Sequence, residues 1–387
     1  MALQNFEFCN PTRIVFGKQT IQQLDKLIPE ASKILIVIGG GSVRKNGTLD
    51  EVEQALGKRS FAVFEGIEPN PTFETAMLAV EKIRKENFDF VLGVGGGSVM
   101  DACKFIAGAV KYQGDTWDIV LSGGEKITQV IPFGFVPTLP ATGSEMNSGG
   151  VISRKSTFDK LPIHSSLLFP LFSIWDPTKT YSLPKRQVAN GIVDAFIHTV
   201  EQYITYSVNA CVQDRFAEGL LLTLIEEGPK TLENPEDYEA RANFIWAATM
   251  ALNGLISTGV PSDWATHMIG HELTILYGID HGQTLAIILP SLLNEMRNDK
   301  RSKLLQYGRR VWGIEHQDEE KIIDEAIAKT RAFFESLGIK THLRDYGVDD
   351  SAVDKVVEQL QRHNLTALGE RKNITPEVSR RIVEASL

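Results

Sequence analysis

Cysteine is scarce in this chain. Cys9, Cys103 and Cys211 are the only three in 387 residues, an odd and widely scattered set. That argues against a disulfide framework and for small buried hydrophobes in a reducing cytoplasm. Long hydrophobic runs are also missing. No apolar stretch approaches the ~18 residues of a membrane span, and MALQNFEFCNPTRIVFGKQT at the start has no charged leader followed by an apolar core. Positive charge is not in excess. Forty basic residues face forty-nine acidic ones, a net charge of −9, which disfavours nucleic acid or an anionic membrane as partner. Neither HExxH nor CxxC occurs, so the zinc-protease reading is weak. No low-complexity stretch or solenoid repeat is present.

What is present is globular. Apolar residues make up 43% and charged residues 23%, and the length calls for two or three domains. In the first half, β-rich runs alternate with helical patterns. Lys33–Ile38, Phe61–Phe64, Phe88–Val94, Gln129–Pro137 and Leu171–Trp175 read as strands. Segment 72–86 reads as a helix that Thr72 can cap. Fully apolar strands alternating with helices predict a parallel sheet covered on both faces. From about Leu183 the β-rich runs stop. Segments 187–205, 210–226, 239–257, 263–276, 300–312, 318–337, 350–363 and 375–386 read as helices. The expected fold is therefore an α/β domain over 1–183 followed by an all-α domain over 184–387.

Two strands end alike. Gly39-Gly40-Gly41-Ser42 is echoed by Gly95-Gly96-Gly97-Ser98, each followed by an expected helix start. Without a Cβ, such turns let backbone N–H groups face a phosphate, and a helix beginning there adds its positive end. The bland alternative is a tight strand–helix turn. The second cluster has only two of the three fingerprint glycines, and no acidic residue follows convincingly at the usual distance, so it departs from the standard dinucleotide motif. After the first cluster come Arg44 and Lys45, with no acid before Asp50. This suits the 2′-phosphate of NADP(H) better than the free ribose of NAD(H), unless the two are an ordinary solvated pair.

Five of the eight histidines fall between residues 164 and 281. Asp194 and His198 are four apart, on one helical face. His267 and His271 repeat that spacing, and His281 follows. One carboxylate with imidazoles suits Zn²⁺ or Fe²⁺ rather than Ca²⁺. Spacing does not decide which of His267, His271 and His281 would bind. His316, His342 and His363 sit among polar residues and read as surface groups.

Taken together, these motifs resemble the iron-containing, or group III, alcohol dehydrogenases. The match is carried by Asn70-Pro-Thr, by Gly95 through Asp101 to Lys104, and by Pro137 through Glu145. Asp176-Pro, Gly191 through Glu201, and His267 to His281 complete it. Within that family the chain looks most like the NADPH-dependent aldehyde reductase, butanol-dehydrogenase-like branch. The resemblance implies an N-terminal dinucleotide-binding domain, a helical metal-binding domain and an active site in the cleft.

By position, the implied metal ligands are Asp194, His198, His267 and His281. His271 falls beside the nicotinamide as a candidate proton relay. Cofactor contacts fall on Gly39, Gly40, Gly41, Ser42, Asn70, Gly95, Gly96, Gly97, Ser98, Asp101, Thr138, Thr142, Asn147 and Lys160. NAD-preferring relatives carry an aspartate near Gly40, and glycine here supports NADP(H). The implied reaction is hydride transfer between NADP(H) and short-chain aldehydes or alcohols, with one divalent metal, zinc ahead of iron, in a cytoplasmic homodimer. Competing readings are a glycerol dehydrogenase, a sugar-phosphate cyclase-like enzyme, and a non-catalytic nucleotide or metal sensor.

Overall fold

The computed structural model describes residues 2–387. It divides into two compact units: Cys9–Leu183, and Pro184–Leu387 together with the residues up to Phe8. The segment before Cys9 thus groups with the helices, where the sequence places it with the α/β domain. Its ties are local. Gln4 N–H donates to Gly259 O at 3.0 Å, and the Phe6 ring lies against Gly259.

The first unit holds strands β1 (Arg13–Phe16), β2 (Lys33–Ile38), β3 (Ser60–Glu65), β4 (Phe90–Gly95), β5 (Phe133–Pro137), β6 (Gly149–Arg154), β7 (Asp159–His164) and β8 (Phe172–Trp175). Its helices are α1 (Leu24–Leu27), α2 (Ser42–Lys45), α3 (Thr48–Leu56), α4 (Phe73–Glu86), α5 (Gly97–Ala109) and α6 (Trp117–Leu121). Six strands form a sheet in the order β1-β8-β5-β4-β2-β3, and every pairing is parallel. The apolar run of β2 has a direct cause. Ile34, Ile36 and Ile38 enter one core, Leu35 and Val37 the other, and neither face meets water. Thr72 caps α4 by accepting from Thr75 N–H at 3.3 Å.

β2 and β4 are neighbours. The chain runs outward from β2 to β3 on one side and from β4 to β5 on the other. Their carboxyl ends therefore stand where the strand order reverses, the usual crevice for ligands in such sheets. Both glycine clusters leave from these ends. The antiparallel hairpin β6–β7 is absent from the sequence reading. Its strands, GGVISR and DKLPIH, carry neither an apolar run nor a clean alternation.

The second unit is built from α7 (Lys185–Tyr203), α8 (Cys211–Glu233), α9 (Tyr238–Ala251), α10 (Ala265–Tyr277), α11 (His281–Glu295), α12 (Arg301–Arg310), α13 (Glu319–Ser336), α14 (Ser351–Arg362) and α15 (Pro376–Glu384). Helix α11 is missing from the sequence reading. Its residues Leu285 to Leu293 are all buried, so it shows no polar face, and Pro290 within it reads as a breaker. α8 likewise runs through Pro229 to Glu233, past the Gly-Pro punctuation. In both, burial outweighs the lost backbone donor. Among the described residues, no helix is long and apolar enough to cross a membrane.

Candidate metal centre and nucleotide loops

The helical unit gathers one carboxylate and several imidazoles. Along α7, Asp194 and His198 share a face, and both are buried. α10 brings His267 and His271, and α11 begins at His281. The start of α11 is pressed against α7. A Cβ on Gly282 would stand 2.6 Å from Asn190 O, so only glycine permits this approach. Asn190 also donates to Asp280 at 2.8 Å.

Three Nε2 atoms converge on a single oxygen. His198, His267 and His281 lie 3.5, 3.6 and 3.7 Å from Asp194 Oδ1. Asp194, His267 and His281 offer ligand atoms that all lie within 4.8 Å of one another. His198 lies outside that tightest triple but stacks on His267, with ring centroids 4.7 Å apart. Neither Asp194 Oδ1 nor His267 Nε2 has a hydrogen-bond partner among the described residues, which is costly for buried polar atoms. Four ligands at roughly 2.1 Å from one tetrahedral ion stand roughly 3.4 Å apart, close to the separations from Asp194. The residues fit a Zn²⁺- or Fe²⁺-sized ion. His271 is not in the triple. Its ring centroid is 5.1 Å from that of His281 and 6.3 Å from that of His267.

Electrostatics agree with a cation site. Burial pushes the Asp194 carboxyl up, but His198, His267 and His281 outweigh it and hold the group below its ordinary range. Burial lowers His267, yet Glu201 and Asp194 reverse this and push it up to about 9. The site thus holds positive charge as a proton when no metal competes. Trp264 walls the site in a left-handed conformation, φ 64°, its ring edge-on to His267 at 5.3 Å and to His198 at 6.1 Å.

In the other unit, Gly95 to Ser98 turn from β4 into α5, whose first N–H groups lack intrahelical acceptors. A Cβ on Gly97 would meet the Thr142 side chain at 2.5 Å, so the loop after β5 packs directly on the glycine turn. Thr138 N–H donates to Gly95 O at 2.9 Å. Ser144 Oγ and Val151 N–H donate to the two oxygens of Asp101, at 2.8 and 2.9 Å, so this carboxylate ties α5 to β6. Asn147 Oδ1 accepts from Lys104 at 2.8 Å. Lys160 is buried at 8% exposure, although a lone lysine usually reads as a surface residue. Asn70 takes φ 55° just before α4.

The first glycine turn also differs from expectation. Arg44 Nε pairs with Glu65 at 2.9 Å, and the other Glu65 oxygen lies 2.9 Å from where a Cβ on Gly41 would stand. An acid therefore does reach this turn, from the end of β3.

Lys104, Glu201 and Glu65 escape the sequence reading as site residues. Lys104 left a signal, being with Asp101 one of two charges in an otherwise largely apolar helix, and buried charges require partners. Burial pushes its ammonium down to about 7, with Asp101 and Glu145 opposing. Glu201 left another, lying seven residues after Asp194 on the same face. Glu65 left none. His363, expected at the surface, has a side chain only 6% exposed that bonds Glu272 at 2.8 Å. His342 is nearly half exposed, and His316 is exposed.

Residues 11–177 match the family described as iron-containing alcohol dehydrogenase, and residues 188–384 match the C-terminal domain of that family. The NADPH-dependent aldehyde reductase YqhD of Escherichia coli K12 is 57% identical over 99% of this chain and 100% of its own. NADH-dependent butanol dehydrogenase A of Clostridium acetobutylicum is 41% identical over 96% of this chain and 97% of its own. The crystal structure of E. coli K-12 YqhD superposes with a TM-score of 0.99 at 56% identity, covering all of both chains.

Proposed function

Because this chain belongs to the iron-containing alcohol dehydrogenase family, we propose that it reduces short-chain aldehydes with NADPH at a divalent metal. The observation that carries the metal part is the convergence of three imidazole nitrogens on Asp194 Oδ1. The choice of NADPH and aldehyde is supported by the likeness to the reductase of E. coli.

Asp194, His198, His267 and His281 would hold the ion. When bound, NADPH supplies the hydride, and the ion supplies positive charge beside a carbonyl oxygen that becomes negative. The chain's own residues do the rest. The amides at Gly95 to Ser98 and the start of α5 cradle the dinucleotide phosphates. Thr138, Thr142, Asn147, Asn70, Asp101 and Lys160 frame that loop. Gly39 to Ser42, with Lys45 and with Arg44 turned from Glu65, receive the 2′-phosphate. His271 relays a proton to the nascent alcohol, and the half-buried Trp264 beside His198 and His267 limits the access of water. The donor set suits zinc, the proposed ion, and equally the iron of the family's description. Exposed Leu3, Phe6, Phe8, Val212 and Phe216 of the helical unit support a homodimer.

The test combines elemental analysis of the purified protein with reduced-nicotinamide consumption across short aldehydes and both cofactors. Turnover with NADPH, proportional to metal content, is expected. Equal activity in the fully demetallated protein refutes the metal's role, and faster turnover with NADH refutes the cofactor assignment.

A further inference from the structure

Glu201 is the most deeply buried carboxylate of the helical unit's centre, at 1% exposure. It lies two turns along α7 from Asp194 and holds the entry of α10 at three points. Its Oε1 accepts from Thr266 N–H at 2.6 Å. Its Oε2 accepts from His267 Nδ1–H. Its backbone oxygen accepts from Asp263 N–H at 2.8 Å. Asp263 in turn caps α10 through Ala265 N–H and is bound by the buried Lys300.

An imidazole has two nitrogens, and only a deprotonated one can hold a metal. A carboxylate is a pure acceptor, so it selects the tautomer with the proton on Nδ1 and leaves the Nε2 lone pair on the opposite edge. In His267 that edge faces Asp194. We infer that Glu201 is a positioning residue that fixes the tautomer and orientation of His267 and thereby sets the metal affinity of the centre. Glutamine cannot replace it. With its oxygen on His267 Nδ1–H an amide turns its NH₂ onto Thr266 N–H, donor against donor, and the reverse placing, NH₂ on Nδ1, stabilises the wrong tautomer.

The inference rests on the reading of His267 as a metal-holding residue, and the experiment separates the two. Metal-free full-length wild type, Glu201→Gln and His267→Gln are titrated with Zn²⁺ against a chromophoric chelator. Glu201→Gln should bind about 10- to 100-fold more weakly. If His267→Gln retains wild-type affinity, the metal reading fails. If His267→Gln loses the ion but Glu201→Gln keeps wild-type affinity, only the positioning role is overturned. A second measurement needs no folded Glu201 variant. In the zinc-loaded wild type labelled with ¹⁵N-histidine, the resonance assigned to His267 should show a protonated Nδ1 shielded from solvent exchange. A proton on Nε2 instead, or free exchange at Nδ1, overturns the inference. A role confined to packing would lower the melting point of Glu201→Gln without changing its zinc affinity.

Discussion

Lys300→Met tests whether one buried ammonium ties the helical unit together. Lys300 is 1% exposed, and its three donors each meet an acceptor. These are Asp263 at 2.8 Å, Glu370 at 2.7 Å and the carbonyl of Ile204 at 3.0 Å. The carbonyl follows the end of α7, and Asp263 caps α10. Burial disfavours the ammonium, but Asp263 and Glu370 outweigh that and raise its pKa above the ordinary value, so it is charged at working pH. Methionine nearly preserves the volume while stranding two carboxylates and a carbonyl. Breaking a buried pair from one side costs about 3–5 kcal/mol, and the orphaned carbonyl adds about 1 kcal/mol. At about 2–4 °C per kcal/mol for a unit of this size, the melting midpoint of the metal-free protein should fall by roughly 10 °C or more. Calorimetry or circular dichroism reads this, with Lys230→Met as control, since Lys230 pairs with Glu227 at the exposed surface. A shift for Lys300→Met no larger than the control's would refute the argument. Adding Asp263→Asn and Glu370→Gln to Lys300→Met should recover part of the loss, because no buried charge then remains unpaired.

Four other outcomes are expected. His267→Ala should remove metal and most turnover while NADPH binding, followed by fluorescence titration, stays near wild type; full activity without metal would contradict the assignment. His271→Ala should keep its metal and slow reduction, and metal loss in that variant would mean that His271 is itself a ligand. Gly40→Asp has room, with nothing within 4 Å of the new Cβ. It should lower the NADPH:NADH ratio of kcat/KM by about tenfold or more through repulsion of the 2′-phosphate, and an unchanged ratio would reject the loop's role. Finally, His267 lies at about 9 in the metal-free chain, above its unfolded value of about 6.5. Its share of metal-free stability is therefore full below pH ~6.5 and is lost as pH rises through ~9. Zinc uptake near pH 7 must displace that proton, so a weakly buffered titration should record about one proton released per ion. The absence of release would refute the coupling.

Much of the framework was legible because it depends on local pattern. Continuous apolar runs ending in glycine marked β2 and β4, since a strand buried on both faces has no need of polar alternation. Spacing of four within one helical stretch put Asp194 and His198 on a common face, and the same arithmetic reaches Glu201. The change from β-rich runs to helices near Leu183 announced two kinds of layer. Patterns weaken where burial is uniform or the segment is short, which is why α11 with its Pro290 and the β6–β7 hairpin escaped notice.

The rest was decided by contacts between residues far apart in the chain. Which histidines meet Asp194 depends on how α10 and α11 pack on α7, and Gly282 against Asn190 governs part of that approach. Lys300 finds Glu370 seventy residues later, and Glu65 reaches the first glycine turn only because β3 lies beside β2. Periodicity states which face of an element a side chain occupies. It does not state what stands opposite, and the tautomer of His267 and the charge balance of its surroundings come from what stands opposite.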